Sequence, residues 1–239
     1  MTAPRLSVNL NKVALIRNSR GANRPDLIQI ARDCEAFGAQ GITVHPRPDQ
    51  RHIRYDDIAP LRAAVTTEFN IEGYPSADFM ELVLNNPPHQ CTLVPDEPGQ
   101  LTSDHGWDTI SKAEQLKSII ERLQAAGIRV SLFVDPDPSM IDGAKAVGAE
   151  RIELYTGPYA HDYGKDPATA VAPYASAAHY AQAIGIGVNA GHDLDLDNLR
   201  YFRQHLPALL EVSIGHALIS DALYLGLSNT IQQYLRCLE

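Results

Sequence analysis

The chain is poor in cysteine and has no long apolar run. Its three cysteines, Cys34, Cys91 and Cys237, are widely spaced and form no C-x-x-C pair, so the sequence suggests neither a disulfide framework nor a zinc site. The N-terminal residues MTAPRLSVNLNK lack an apolar stretch long enough for a signal peptide, and polar residues interrupt the alanine-rich segment at 168–183. We therefore expect a soluble, cytoplasmic protein with no membrane partner.

Basic residues are also scarce. The 20 Lys and Arg residues are outnumbered by 29 Asp and Glu residues, which gives a net charge of −9. Nucleic acids and anionic membranes favour basic surfaces, so neither is an expected partner. A small anionic ligand is still compatible with this charge, because a local cluster of Arg47, Arg51, His52 and Arg54 can oppose it.

Two nucleotide-binding signatures are missing. No G-x-G-x-x-G follows the first β-rich segment, and no P-loop pattern occurs anywhere in the chain, which disfavours a doubly wound open sheet. Short β-branched runs instead alternate with helical patterns from end to end. The predicted strands are 6–10, 41–45, 68–72, 90–94, 128–134, 151–155, 186–190 and 210–214.

Helix signals lie between these strands. Pro25 stands at a plausible first-turn position, and Ser111-Lys112-Ala113-Glu114 reads as a capping box before an amphipathic helix that Gly127 ends. A glycine precedes each of four strands by a few residues, as expected if one helix-to-strand turn is reused: Gly38, Gly127, Gly148 and Gly185. An extra helix is expected within 11–24 or 156–166.

Eight strand–helix units predict a parallel sheet, because parallel neighbours need helical crossovers. In 239 residues they fit an α/β fold of the (β/α)8 TIM-barrel class with additional helices, whose usual size is about 250 residues. No low-complexity linker divides the chain, so we expect one barrel domain over 1–239.

Four short runs end in or carry an ionisable residue: GITVH ends in His45, FNIE in Glu72 and IGVNAGH in His192, while RIEL carries Glu153. In a barrel of this class the carboxyl ends of the strands surround the active site. Each residue also has a simpler interpretation, since a strand-end histidine is often a structural hydrogen-bonder and Glu153 could pair with Arg151 or a loop amide. Four such residues at separate strand ends favour an acid–base site.

Two anion sites are also indicated. Gly215-His216 follows the last strand and precedes a helical run, where barrels commonly hold a phosphate on backbone N–H groups; a plain tight turn is the alternative. The arginine- and histidine-rich loop after His45 is the second candidate, and a solvated charged loop is its alternative. Two anion sites suggest two phosphorylated substrates.

The same segments resemble the pyridoxine 5'-phosphate synthase family, in order and over nearly the whole chain. The segments that carry the resemblance are NLNKVALIRNSRG, GITVHPRPDQRHI, FNIEGYPS, LVPDEPGQLTSDHGWD, AGIRVSLFVD, RIELYTGPYA, GVNAGHDL and VSIGHALISDAL. The resemblance implies a (β/α)8 barrel that assembles as a homo-octamer and uses no metal ion or organic cofactor. It also implies the condensation of 3-amino-2-oxopropyl phosphate with 1-deoxy-D-xylulose 5-phosphate to pyridoxine 5'-phosphate, inorganic phosphate and water.

The resemblance further implies residue roles. His45 and Glu72 match the family's proton acceptors, His192 its proton donor, and Glu153 the carboxylate that stabilises a transition state. The positions that match the aminoketone phosphate site are Asn9, Arg20, Asp193, Gly215 and His216. Those that match the deoxyxylulose phosphate site are Arg47, His52 and Thr102. In the family a loop like RNSRGANRPD, which holds Arg17, Arg20 and Arg24, reaches a neighbouring subunit's site; a solvated basic loop is the alternative.

The chain departs from the family's commoner pattern at three places. That pattern has Asp-His where Asn11-Lys12 stand, Met-Ala where Gly73-Tyr74 stand, and Gly where Asp193 stands. The residues at 11–12 and 73–74 resemble those of a variant branch of the family. Three other interpretations are weaker. A phosphosugar isomerase or aldolase would favour a lysine at a strand end, and a metal-dependent hydrolase would favour His-x-His on an early strand. A non-catalytic binding barrel would be marked by the loss of His45 or Glu72.

Overall fold

The computed structural model describes residues 3–96, 103–206 and 208–239, and it contains a closed barrel of eight parallel strands in sequence order. The strands are β1 Arg5–Asn9, β2 Gly41–Val44, β3 Glu68–Gly73, β4 Gln90–Leu93, β5 Arg129–Val134, β6 Arg151–Tyr155, β7 Gly187–Gly191 and β8 Leu209–Ile214. No end differs from the sequence-based prediction by more than one residue, so the predicted strands and the barrel class are confirmed.

Helices follow the strands around the outside of the barrel. They are α1 Asn11–Asn18, α2 Leu27–Ala36, α3 Ile58–Ala64, α4 Ala77–Asn85, α5 Ala113–Ala125, α6 Pro138–Ala146, α7 Gly157–Tyr163, α8 Pro167–Ala183, α9 Leu199–His205, α10 His216–Leu225 and α11 Leu227–Leu238, with a short 3-10 turn at Tyr55–Asp57. Both segments that were candidates for an extra helix are helical, as α1 and α7. Within the described ranges no helix has the length and apolarity needed to cross a bilayer.

The strands alternate apolar and polar residues with a period of two. The apolar side chains of β1, such as Leu6 and Val8, are fully buried and pack against the helices. The alternate positions carry small polar groups that hydrogen-bond between adjacent strands: Ser7 Oγ lies 2.7 Å from Thr43 Oγ1, and Thr92 Oγ1 donates to Asn70 Oδ1 at 3.1 Å. This polar interior ends, at the carboxyl ends of the strands, in the acidic residues of the site.

The helix-to-strand turns reuse one glycine conformation. All four glycines identified from the sequence have positive φ, namely 105° at Gly38, 76° at Gly127, 91° at Gly148 and 73° at Gly185. A residue with a Cβ is sterically disfavoured at positive φ, so glycine is the residue expected in such turns. The predicted reuse of one turn is confirmed.

Two predicted helix starts are wrong. Helix α5 begins at Ala113 after Lys112, with no side-chain cap. The Ser111 N–H, which a capping box would give to Glu114, donates to Asp108 Oδ1 at 2.9 Å, and Ser111 Oγ donates to Asp108 Oδ2 at 2.7 Å. Pro25 lies outside α2, whose N-cap is Asp26, which accepts hydrogen bonds from the backbone of Ile28 and Gln29.

Candidate active site

Glu72 lies near the end of β3 and is buried in the barrel mouth. Its carboxylate accepts hydrogen bonds from Asn9 Nδ2 at 3.3 Å and from Ser213 Oγ at 3.4 Å. Burial raises the pKa of Glu72 to about 7; the charge of His192 and the Ser213 hydroxyl oppose this rise, and the charge of Asp96 adds to it. A carboxyl with this pKa can exchange protons at neutral pH.

Glu153 on β6 is buried close by. Burial, followed by the negative charges of Glu72 and Glu211, holds its pKa well above the ordinary range, which favours the protonated carboxyl. The simpler interpretation, a pair with Arg151, is wrong because Arg151 Nη1 donates to Asn189 Oδ1 at 3.2 Å. The residues that the structure describes form no hydrogen bond to Glu153, and a Cβ on Gly191 would overlap Glu153 Oε1. Glycine at 191 therefore makes room for this carboxyl.

His192 directly follows β7 and has a φ of 94°, which is rare for a residue other than glycine. Its Nδ1 lies 2.5 Å from Asp193 Oδ2, and its ring meets the Tyr155 ring edge to face at a centroid distance of 5.8 Å. Burial alone would lower the pKa of His192. The hydrogen bond and charge of Asp193, with the charge of Glu72, outweigh burial and raise this pKa, which suits a proton donor.

His45 follows β2, and its pKa is shifted in the opposite direction. Burial first, then the positive charge of Arg47 and the neighbouring imidazoles of His52 and His192, lower its pKa well below the ordinary range, so the ring is neutral and can accept a proton. Its backbone N–H donates to Asn11 Oδ1 at 2.9 Å, and the Asn11 N–H donates to Asn9 Oδ1 at 3.0 Å. Asn11 thus ties the ends of β1 and β2 together, a contact that sequence reasoning missed.

Arg47 and His52 line the same mouth, and both are buried. Arg47 Nη1 donates to Asp96 Oδ2 at 2.9 Å, and Ser103 Oγ donates to the same oxygen at 2.8 Å. His52 Nδ1 accepts from the Ile53 N–H at 2.9 Å, and burial with the nearby charge of Arg47 lowers the His52 pKa to about 4. His52 is therefore neutral, with Nε2–H as its donor.

The other two arginines of this basic loop, Arg51 and Arg54, are more exposed than Arg47. Arg51 Nε donates to Asp49 Oδ2 at 2.6 Å, while Arg54 is exposed. These contacts agree with the simpler interpretation of a charged surface loop for Arg51 and Arg54. Asp96 lies just after β4, so the strand-end argument that found His45 and Glu72 could also have found it.

Gly215 is the N-cap of α10, which begins at His216 as expected. A Cβ on Gly215 would lie 3.0 Å from Asn9 Cβ and 3.2 Å from Asn9 Oδ1. The absence of a side chain therefore lets the first turn of α10 approach the Asn9 end of the mouth. The backbone N–H groups of such a turn suit a phosphate. Phosphate binding here stays a prediction.

The remaining predicted site residues are Arg20, Thr102 and Asp193. Arg20 is exposed, two residues after α1. Arg17, which the sequence grouped with it in a polar loop, instead lies in α1, buried, and donates to Asp57 at 2.6 and 2.8 Å; the carboxylate compensates the buried charge. Thr102 lies outside the described residues. Asp193 is held by its backbone, since its N–H donates to Thr156 Oγ1 at 3.2 Å.

The structure thus defines a (β/α)8-barrel protein with carboxylic acids, histidines and an arginine around one mouth. The chain matches the family model described as "Pyridoxal phosphate biosynthesis protein PdxJ" over residues 6–239, and it belongs to this family. A pyridoxine 5'-phosphate synthase of Bacteroides fragilis is 60% identical over 235 residues, covering 98% of this chain and 99% of the relative. One of Flavobacterium johnsoniae is 57% identical with the same coverage.

Solved structures with lower sequence identity share the fold. A 4-hydroxy-2-oxoglutarate aldolase superposes with a TM-score of 0.65 at 18% identity, covering 99% of this chain and 96% of that chain. A phosphoribosylanthranilate isomerase of Thermotoga maritima gives 0.59 at 12% identity, covering 98% and 97%. At these identities the similarity extends to the barrel and not to the chemistry.

Proposed function

We propose that the chain condenses 3-amino-2-oxopropyl phosphate with 1-deoxy-D-xylulose 5-phosphate, forming pyridoxine 5'-phosphate, inorganic phosphate and water. The observation that carries this proposal is the division of protonation states within one mouth, where His45 is neutral, the pKa of His192 is raised and Glu72 titrates near pH 7. Joining an amine to a ketone, expelling water and phosphate and closing a ring require proton transfers in both directions.

The acid–base roles follow from these states. Glu72 and His45 accept protons, because a neutral imidazole and a carboxyl with a pKa of about 7 are competent bases near neutrality. His192 donates a proton to an oxygen that leaves as water. The protonated Glu153 donates a hydrogen bond to oxygen that gains negative charge, and so stabilises a transition state. These steps move protons and no electrons, so they require no redox cofactor.

The two phosphates are bound on separate sides of the mouth. Asn9, Arg20, Asp193, Gly215 and His216 hold the aminoketone phosphate, with the first turn of α10 supplying backbone donors. Arg47, His52 and Thr102 hold the deoxyxylulose phosphate. Arg47 suits this task because Asp96 already fixes one edge of its guanidinium group. Anchoring both phosphates brings the amine and the ketone together and lowers the entropic part of the barrier.

The chain works as a homo-oligomer, an octamer as in the family, built from one barrel domain over 1–239 and located in the cytoplasm. Leu15 and Ile16 on α1 and Leu223 and Tyr224 near the end of α10 expose apolar side chains, with Tyr224 91% exposed. Helices α1 and α10 contact each other, so these residues offer an apolar surface to a second copy. Arg20 is exposed and follows α1 by two residues, and on this proposal it completes the aminoketone phosphate site of the neighbouring subunit.

The proposal is tested by incubating the purified chain with both phosphorylated substrates. We expect pyridoxine 5'-phosphate, identified by ultraviolet absorption and mass, together with an equal amount of inorganic phosphate. Either substrate alone should give no product. A folded protein that consumes neither substrate, or that isomerises or cleaves the pentulose phosphate without making the pyridine ring, would contradict the proposal and favour an isomerase or aldolase.

A further inference from the structure

The loop that carries His192 places the Asp193 carboxylate against one edge of the imidazole ring. His192 Nδ1 and Asp193 Oδ2 are 2.5 Å apart, a distance typical of a short, charge-assisted hydrogen bond. The two residues are adjacent in sequence, and such neighbours rarely face each other in extended backbone, where successive side chains point in opposite directions. The φ of 94° at His192 turns the chain and brings the two side chains together.

Buried polar groups hold the backbone on both sides of this turn. Thr156, which is fully buried, donates from Oγ1 to the Gly191 carbonyl at 2.6 Å and accepts from the Asp193 N–H at 3.2 Å. Asn198, also buried, donates from Nδ2 to the Asp193 carbonyl at 3.3 Å. Backbone in this uncommon region costs energy and persists when the surroundings fix it. Thr156 and Asn198 therefore hold the loop in a conformation in which the backbone of His192 is strained.

We propose that Asp193 is a positioning residue for the proton donor His192: its carboxylate binds Nδ1–H and so presents Nε2 to the substrate. This inference rests on the proposed function, in which His192 is the donor, and it adds a side-chain role to the backbone contact that the family resemblance implies for position 193. The family's commoner pattern has glycine there, which supplies no carboxylate.

The groups around His192 agree with this role. Glu72 on β3, Asp96 after β4 and Tyr155 on β6 lie around the ring together with Asp193, and the neutral His45 ring lies in the same mouth. Burial lowers the pKa of His192, and the contribution of Asp193 is the largest that opposes burial, ahead of Glu72 and Asp96. Removing the negative charge of Asp193 should therefore leave burial dominant and lower the pKa.

The test is an NMR pH titration of the His192 ring in protein with labelled histidine, with the signal assigned by its loss in His192→Gln. Asp193→Asn keeps an oxygen acceptor of the same shape and removes the charge. We expect the titration midpoint of His192 to fall by at least about one pH unit, the usual effect of an adjacent opposite charge. Asp193→Glu should restore part of the shift. Asp197→Asn, which removes an exposed carboxylate from the same loop, is the matched control and should leave the midpoint unchanged.

Turnover gives the second measurement. Because the donor must be protonated, kcat of Asp193→Asn should fall more at pH 8 than at pH 6, and the alkaline limb of its pH profile should move to lower pH. An unchanged His192 midpoint, or a loss of kcat that is the same at both pH values, would overturn the positioning role. The NMR titration needs no product, so a chain that makes no pyridoxine 5'-phosphate would refute the proposed function and leave the His192–Asp193 result to be judged separately.

Discussion

Residues of the same type at the barrel mouth have different charge states because their surroundings differ. His45 is buried among positive groups and is neutral, whereas His192 lies against Asp193 and its pKa is raised. Glu72 accepts two hydrogen bonds and titrates near pH 7, while burial and the like charges of Glu72 and Glu211 hold the pKa of Glu153 well above the ordinary range. Pairs of titratable groups with separated pKa values are the usual mark of assigned acid and base roles.

The buried Glu72 carboxylate should reduce the stability of the folded protein as the pH rises towards 7. Its folded pKa of about 7 exceeds the ordinary 4.5, so the folded protein binds a proton between these values that the unfolded chain releases, and stability falls as pH rises through this window. Glu72→Gln has no charge to bury. The Tm of this variant relative to the wild type should therefore rise between pH 5 and pH 7.5, as measured by calorimetry.

Glu81→Gln on the exposed side of α4 controls for the loss of one carboxylate. A Tm difference for Glu72→Gln that is constant with pH, or that shrinks towards pH 7.5, would show that Glu72 is not destabilised by burial.

At the scale of single elements, Gly215 connects the end of β8 to the first turn of α10, which we propose binds phosphate. A valine at this position would push against Asn9, whose Cβ lies 3.0 Å from the site of the new Cβ. We expect Gly215→Val to raise KM for the aminoketone phosphate by tenfold or more, about 1.4 kcal/mol of binding, with a smaller effect on KM for the pentulose phosphate. Gly164→Val is the control, because a Cβ there meets nothing within 4 Å. Equal changes in both KM values would argue against a phosphate site at α10.

The positive-φ glycines set the helix-to-strand turns. Gly127 has a φ of 76°, and a Cβ there would meet nothing within 4 Å, so replacing it tests backbone conformation alone. Gly127→Ala should lower the free energy of unfolding by about 1 kcal/mol, measured by denaturant titration, and leave kcat unchanged. Gly164→Ala, where φ is −68°, should have no such cost. A neutral Gly127→Ala would mean that the turn relaxes to negative φ.

The elements themselves could be predicted from the sequence to a large extent. The strands are short runs between a glycine turn and a polar mouth, and both signals are local, so β6 was placed without error at 151–155. The start of α5 was missed because Ser111 and Glu114 form a valid capping pattern, while the acceptor that competes for Ser111 is Asp108.

Long-range contacts of the site could not be predicted. Nothing in the local sequence shows that Arg17 pairs with Asp57, forty residues away in sequence, or that Asn11 binds the backbone of His45. The strand-end rule found His45, Glu72, Glu153 and His192 because it depends only on topology. The rule does not give their charge states, which depend on the neighbours that the fold brings together.

At the scale of the whole molecule, the proposal that Arg20 acts in a neighbouring subunit makes activity depend on assembly. Arg20→Ala and His45→Asn should each be inactive alone. Mixing the two under conditions of subunit exchange should restore part of the activity, because some sites combine an intact Arg20 with an intact His45. Exchange is followed by native mass spectrometry of differently labelled subunits. Demonstrated exchange without any recovery would place Arg20 within its own subunit's site or outside the site altogether.

The dependence of kcat/KM on pH for the wild type, Glu72→Gln and His45→Asn tests the acid–base mechanism most directly. We expect the wild type to lose activity below about pH 7, where Glu72 becomes protonated, and each variant to lose roughly 100-fold or more in turnover while keeping its fold, since positioned acids and bases contribute about that much. The acid limb near pH 7 should disappear in Glu72→Gln. Turnover within a few-fold of the wild type in Glu72→Gln, with the limb unchanged, would contradict the assignment of Glu72 as a base.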